Sequence, residues 1–211
     1  EMISEMHKRG IRLIMDLVPN HSSTSHEWFK KSRQRIEPYS DYYYWFDEPP
    51  NNWQSCFGGS AWQYDEVRKQ YYLRIFAVSQ ADLNFDNPLV RQEIKDIIDY
   101  WVDLGIDGFR IDVIDMISKE IDKENCFGPN LHKYINEMFG RDKVDFLFTV
   151  GECGTSTLEQ IKEHIDSNRK ELKTLFQFEH CGQDNDGRFK PKPFKTSDVF
   201  GVISKWEKLY Q

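Results

Sequence analysis

No apolar stretch in the 211 residues approaches the roughly 18 that a membrane span needs. Basic residues are in deficit, with 28 Lys and Arg against 35 Asp and Glu and a formal net charge of −7. That balance leaves no footprint for nucleic acid and no polybasic patch for a lipid surface. Cysteine is scarce: Cys56, Cys126, Cys153 and Cys181 are far apart and form no CxxC pair. A disulfide scaffold or a zinc ribbon is not expected, and thiols in a reducing, cytoplasmic compartment are the simpler reading. Neither GxGxxG nor a GxxxxGK phosphate loop follows a strand pattern, so no cofactor is expected. Ser22 and Ser23 lack a GxSxG elbow, which disfavours a serine hydrolase. No signal peptide is expected ahead of the first structured segment. The chain opens at Glu1 inside an amphipathic pattern (Met2, Ile3, Met6), as a piece of a longer protein would.

Aromatic residues are plentiful, with 6 Trp, 10 Tyr and 15 Phe, which excludes a disordered chain. At roughly 150 residues per domain the length lies between one domain and two, enough for a real core. Residues 1–9 read as the end of a helix stopped by Gly10. IRLIMDLV (11–18) reads as a buried strand ended by Pro19. Residues 21–86 are rich in Ser, Pro, Asn, Gly and aromatics and show no long helical period. They read as a loop-rich subdomain inserted after that strand, with a hairpin over 61–76.

Regular alternation then resumes over 87–211. Asn87 caps a helix that starts on Pro88, repeats Val90, Ile94, Ile97, Ile98, Trp101 and Leu104, and closes at Gly105. DGFRID (107–112) is a strand, and Pro129 opens a helix carrying Leu131, Tyr134, Ile135 and Met138. DFLFTVGE (145–152) is the next strand, followed by a helix with Leu158, Ile161 and Ile165. TLFQFEH (174–180) is a fourth strand, and Val199, Val202, Ile203 and Trp206 mark a last helix. Strands alternating with helices imply parallel β/α units of the α/β class, in an open doubly wound sheet or a barrel. Chemistry-bearing residues sit at several strand ends: Asn20–His21, Arg110–Asp112, Glu152 and Glu179–His180. That distribution is the mark of a (β/α)8 barrel.

Arg110 and Asp112 are two apart on a strand, so their side chains share a face. A guanidinium beside a carboxylate favours the charged acid that a nucleophile needs, although a structural ion pair has the same spacing. Glu152 follows an apolar strand and a Gly, a poorly solvated place where a general acid can keep its proton. Two acids tuned in opposite directions on neighbouring strands match the two-carboxylate chemistry of glycoside hydrolysis. Most aromatics of the insert (Trp53, Phe57, Trp62, Tyr64, Tyr71, Tyr72, Phe76) read as a small core, but ring faces also pack against sugar C–H groups. Asp16 and His21, five apart, form no HExxH pattern, and no other His or Cys grouping has metal-ligand spacing.

These blocks resemble the α-amylase superfamily, in its oligo-1,6-glucosidase and related α-glucosidase branch. DLVPNHSS (16–23), QADLNFDNP (80–88), GFRIDVIDMISK (108–119) and TVGE (149–152) carry the resemblance, with FGGSAWQYDE (57–66) and LFQFEH (175–180). It implies a partial (β/α)8 barrel, about the third to sixth β/α units. Residues 1–20 and 87–211 would be barrel, 21–86 the inserted subdomain, and the first and last units would be missing. It implies Asp112 as nucleophile and Glu152 as acid and then base, with carboxyls roughly 5–5.5 Å apart. Arg110 would hold Asp112, Asp16 would support Arg110, and His21 would bond the sugar. Phe57, Phe76 and Gln80 would wall a terminal glucose, and Val113 would favour α-1,6 bonds. The implied partner is an oligosaccharide, with no metal, nucleic acid or membrane. A third carboxylate, in an Asn-His-Asp block, has no match in the chain, and Ala81 also suits trehalose-6-phosphate hydrolases. A sucrose-acting transglycosylase uses the same residues, and a non-catalytic amylase-like subunit would lack the acids.

Overall fold

The computed structural model describes residues 1–154, 157–186 and 190–208. In chain order the elements are α1 (Met2–Lys8), β1 (Ile14–Leu17), β2 (His21–Ser23), α2 (Glu27–Arg33), β3 (Trp45–Phe46), β4 (Trp62–Asp65) and β5 (Gln70–Leu73). β6 (Gln80–Asp82), α3 (Pro88–Asp103), β7 (Gly108–Ile111), α4 (Leu131–Phe139), β8 (Phe148–Glu152), α5 (Leu158–Ile165), β9 (Thr174–Phe176) and α6 (Thr196–Glu207) follow. No helix among the described residues is long and apolar enough to cross a membrane.

Four strands form one parallel sheet in the order β1-β7-β8-β9. Each is joined to the next by a connection containing a helix, which is the arrangement of a partial (β/α)8 barrel. The helices start where local chemistry allows. Gly10 ends α1 in the left-handed region at φ +71°, where a side chain would be strained. The Asn87 side chain accepts from the Leu89 N–H at 2.9 Å, and Pro88 sets the first turn of α3. Val90, Ile94 and Ile98 of α3 then pack in one core with Phe109 and Ile111 of β7 and with Tyr134, Ile135 and Met138 of α4. Each buried Ile or Phe contributes about 1.5–3 kcal/mol.

Between β1 and α3 lie α2 and two antiparallel sheets, β2-β6 and β3-β5-β4. β4 and β5 pair as the hairpin predicted for 61–76, with Trp62 opposite Leu73. Phe29, Tyr43 and Tyr72 meet edge-on at centroid distances of 5.0–5.1 Å and belong to the same core cluster as Leu17 and Ile111. The insert therefore packs continuously onto the parallel sheet. Trp62 and Tyr72 are buried core aromatics, whereas Phe57 and Tyr64 are exposed.

Two sequence expectations need correction. IRLIMDLV is not a uniformly buried strand: Leu17 is buried, but Ile11, Ile14 and Val18 are exposed. Period-two alternation sends Leu17 toward the helices and Ile14 to the opposite face, where Phe148 and Phe176 are exposed as well. The strand in TLFQFEH ends at Phe176, and Glu179–Gly182 form a short 3₁₀ turn. Glu179 there accepts from Lys205 Nζ at 2.8 Å and from Trp206 Nε1 at 2.9 Å, so it anchors α6.

Gly108 is the tightest point of the sheet, because a Cβ there would collide with the backbone carbonyl of Phe148 on β8. Backbone cannot yield as a side chain can. Gly108→Ala is expected to destabilise the protein by at least ~2 kcal/mol. A urea denaturation midpoint equal to that of the wild type would refute this.

Candidate active site

Parallel pairing preserves the alternation of faces from strand to strand. Asp16 lies opposite Arg110, Ile111 opposite Gly151, and Glu152 opposite Phe176. One step beyond Ile111, Asp112 comes beside Glu152. Asp16, Arg110, Asp112 and Glu152 thus share the face turned away from the helices, at the C-terminal ends of three adjacent strands. The buried row of Leu17, Ile111 and Leu175 faces the helices and fixes this orientation. A slip of one residue would reverse both faces.

Arg110 joins the acids. Its Nη1 donates to Asp16 Oδ1 at 2.7 Å and to Asp112 Oδ1 at 2.6 Å, and its Nη2 donates to Glu152. Asp112 and Glu152 are about one-fifth exposed, and Asp16 is more than half exposed. The Glu152 carboxyl is held above the ordinary glutamate range, chiefly by burial. Arg110 opposes that effect, while a shared hydrogen bond with Asp112 and the Asp112 charge reinforce it. The backbone N–H of Val113 also donates to Glu152 and lowers its pKa. Val113 reaches this position at φ +35° and ψ 48°. A β-branched residue in the left-handed region is strained, as is common at functional sites.

A second group is built on the insert. The His21 ring is 5.3 Å from that of Phe76, and Phe76 is 6.0 Å from Phe57. Gln80 places its Nε2 2.9 Å from His21 Nε2, and its Oε1 accepts from the Ala77 N–H at 3.0 Å. Burial lowers the His21 pKa, with Asp82 and Asp112 acting against it. The influence of Asp112 links the two groups. The structure brings together Asp16, Arg110, Asp112, Glu152 and the Val113 backbone, and separately His21, Phe57, Phe76 and Gln80.

Beneath His21 lies a buried ion pair that the sequence reading did not single out. Lys119 and Asp82 are fully enclosed, with Nζ 3.1 Å from Asp82 Oδ1. Lys119 also donates to Asn20 Oδ1 at 2.8 Å and to the Met116 carbonyl at 2.6 Å. Asn20 in turn donates to Asp82 at 3.1 Å. The signal was present, since Lys119 and Asp82 fall inside the matched blocks. Sequence spacing also predicted no metal ligands, yet His132, His164 and Glu171 place donor atoms within 4.8 Å of one another. A cavity of about 550 Å³ beside Cys153 and Glu179 is lined by none of the acids bound to Arg110.

The family model "Alpha amylase, catalytic domain" matches residues 1–211. An oligo-1,6-glucosidase from Halalkalibacterium halodurans is 42% identical over 100% of this chain and 42% of its own length. A trehalose-6-phosphate hydrolase from Bacillus subtilis is 39% identical over 98% of this chain and 40% of its own. The crystal structure of a trehalulose synthase from Pseudomonas mesoacidophila superposes with a TM-score of 0.91 at 39% identity, over 99% of this chain and 41% of that one. The chain spans about two fifths of the length of these relatives. With strand-end acids on a parallel β/α sheet and a match along its whole length, the chain belongs to the α-amylase catalytic-domain family.

Proposed function

We propose that the protein carrying this chain is a retaining α-glucosidase. It hydrolyses terminal α-1,6-glucosidic bonds of short oligosaccharides such as isomaltose, with α-1,4 bonds as a secondary linkage. The observation that carries this reading is the pair Asp112 and Glu152, in hydrogen-bond contact, with Arg110 bound to both and the Glu152 pKa raised. Two acids on adjacent strand ends bound by one guanidinium fit the two-carboxylate arrangement of a retaining mechanism.

In the first step the Asp112 carboxylate attacks the anomeric carbon. Glu152 gives its proton to the departing oxygen as the glycosidic bond breaks. A β-glycosyl ester on Asp112 results. In the second step Glu152, now ionised, takes a proton from water, whose oxygen displaces Asp112. Two inversions return the α configuration, and both carboxyls regain their starting states. Arg110 orients Asp112, and Asp16 braces Arg110 from the other side. His21, held neutral by burial, hydrogen-bonds the sugar. Phe57 and Phe76 pack against its C–H face, and Gln80 fixes His21.

The relatives support the reading, since several are named oligo-1,6-glucosidases. Others are named trehalose-6-phosphate hydrolase or trehalulose synthase, which keeps a phosphorylated disaccharide and sucrose as second substrates to test. A non-catalytic amylase-like subunit is disfavoured because Arg110, Asp112 and Glu152 are all present and in contact. A reducing, cytoplasmic compartment belongs to the same proposal, since no disulfide joins the four cysteines, all of them among the described residues.

Three outcomes test these roles in the full-length protein. Asp112→Asn and Glu152→Gln should each abolish nearly all isomaltose hydrolysis without unfolding, and wild-type rates in either would end the assignment. In Asp112→Asn the Glu152 pKa should fall, because a charge and a hydrogen bond that raise it are gone while Arg110 remains. A carboxyl ¹³C titration reads this directly, and an unchanged or higher value would contradict the coupling. Val113→Ala should move the ratio of isomaltose to maltose kcat/KM toward maltose by roughly tenfold, the scale of one to two methyl contacts. An unchanged ratio would remove Val113 from the specificity set.

A further inference from the structure

We propose that His132, His164 and Glu171 form a binding site for a divalent transition-metal ion of the zinc type. The three donors come from separate segments. His132 lies in the first turn of α4, His164 in the last turn of α5, and Glu171 in the segment leading into β9. The proposal is independent of the reaction assigned to the acids at the strand ends.

The geometry is close to that of a first coordination shell. Glu171 Oε2 lies 2.8 Å from His132 Nδ1 and 3.1 Å from His164 Nδ1. A tetrahedral zinc ion with bonds of about 2.0–2.1 Å holds neighbouring donor atoms roughly 3.3 Å apart. These two sides need to open by only a few tenths of an ångström, and all three donor atoms lie within 4.8 Å of one another. The two imidazole rings are already close, with centroids 4.6 Å apart.

The outer ring nitrogen of His132 supplies a second, independent observation. His132 Nε2 lies 3.1 Å from Glu163 Oε2. Metal-bound histidines almost always donate their other N–H to a carboxylate or carbonyl, which fixes the ring and raises its basicity. Glu163 stands where that partner belongs.

Charge and burial point the same way. His164 and Glu171 are 3% and 2% exposed. A buried carboxylate is costly unless a cation or donors compensate it. The guanidinium offered to the two carboxylates is that of Arg169, at 3.8 Å from Glu171 and 3.9 Å from Glu163. A divalent ion would supply the charge at bonding distance. A cavity of about 280 Å³, lined by Asp115, Gln160, His132, Glu163 and His164, reaches the site and leaves space for water as a fourth ligand.

Two imidazoles and one carboxylate select zinc, cobalt, nickel or copper over calcium and magnesium, which prefer all-oxygen shells. Binding replaces the Nδ1 protons that face Glu171, so it releases protons to solvent. The ion would clamp α4, α5 and the entry to β9 against one another.

The test uses the full-length protein, stripped with a chelator and titrated with Co²⁺ and then Zn²⁺. One equivalent of Co²⁺ should produce visible bands of a four- or five-coordinate ion, which Zn²⁺ then removes. Zn²⁺ should raise Tm, and Ca²⁺ should not. His132→Gln should lose both the cobalt bands and the Tm response to Zn²⁺, with an unchanged far-ultraviolet circular dichroism spectrum. Glu163→Gln, at a half-exposed position that tolerates change, should weaken Zn²⁺ binding by roughly 10–100-fold. Identical cobalt spectra in the wild type and His132→Gln would overturn the proposal. So would the lack of stoichiometric binding at micromolar metal, or an equal Tm rise with Ca²⁺.

Discussion

The three carboxylates at the strand ends would repel one another if nothing stood between them. At about 4 Å such repulsion amounts to roughly 1 kcal/mol in water and about 4 kcal/mol near a protein surface, for each pair. Arg110 removes the conflict by placing a guanidinium fork among Asp16, Asp112 and Glu152. The planar fork reaches several acids at once, which a lysine ammonium cannot do in fixed directions. The proposed division of labour follows from this arrangement. Arg110 binds both Asp112 and Glu152, while burial and the Asp112 carboxyl raise the Glu152 pKa.

The sheet makes this meeting possible. Parallel register carries the same alternation through β1, β7 and β8, so one packed row of Leu17, Ile111 and Leu175 orients every polar side chain on the other face. The insert is held to that sheet by a continuous apolar core and by the buried Lys119–Asp82 pair. Removing one partner of such a pair strands a buried charge and is far more damaging than its absence from the outset. Both partners of the pair bond Asn20, the chain neighbour of His21.

Much of this was legible in the chain. The alternation of strands and helices, the Asn87–Pro88 cap, the 61–76 hairpin and the shared face of Arg110 and Asp112 all follow from local rules of periodicity and capping. Strand limits were less legible. Phe178 and Glu179 continue an apolar-polar alternation, but Glu179 finds Lys205 and Trp206 on α6 and the strand ends at Phe176. Exposure of Ile14 was likewise invisible, because a strand's own residues do not say which of its faces is covered.

By itself the sequence determined the element types, the family and the two acids at adjacent strand ends, because those depend on short-range spacing and on blocks of adjacent residues. The tertiary structure decided what depends on separations of tens of residues. It gave Arg110 its link to Glu152 and Lys119 its place between Asn20 and Asp82. It also brought His132, His164 and Glu171 into one cluster. No period of helix or strand connects such positions, so only the packing of one element on another could bring them within bonding distance.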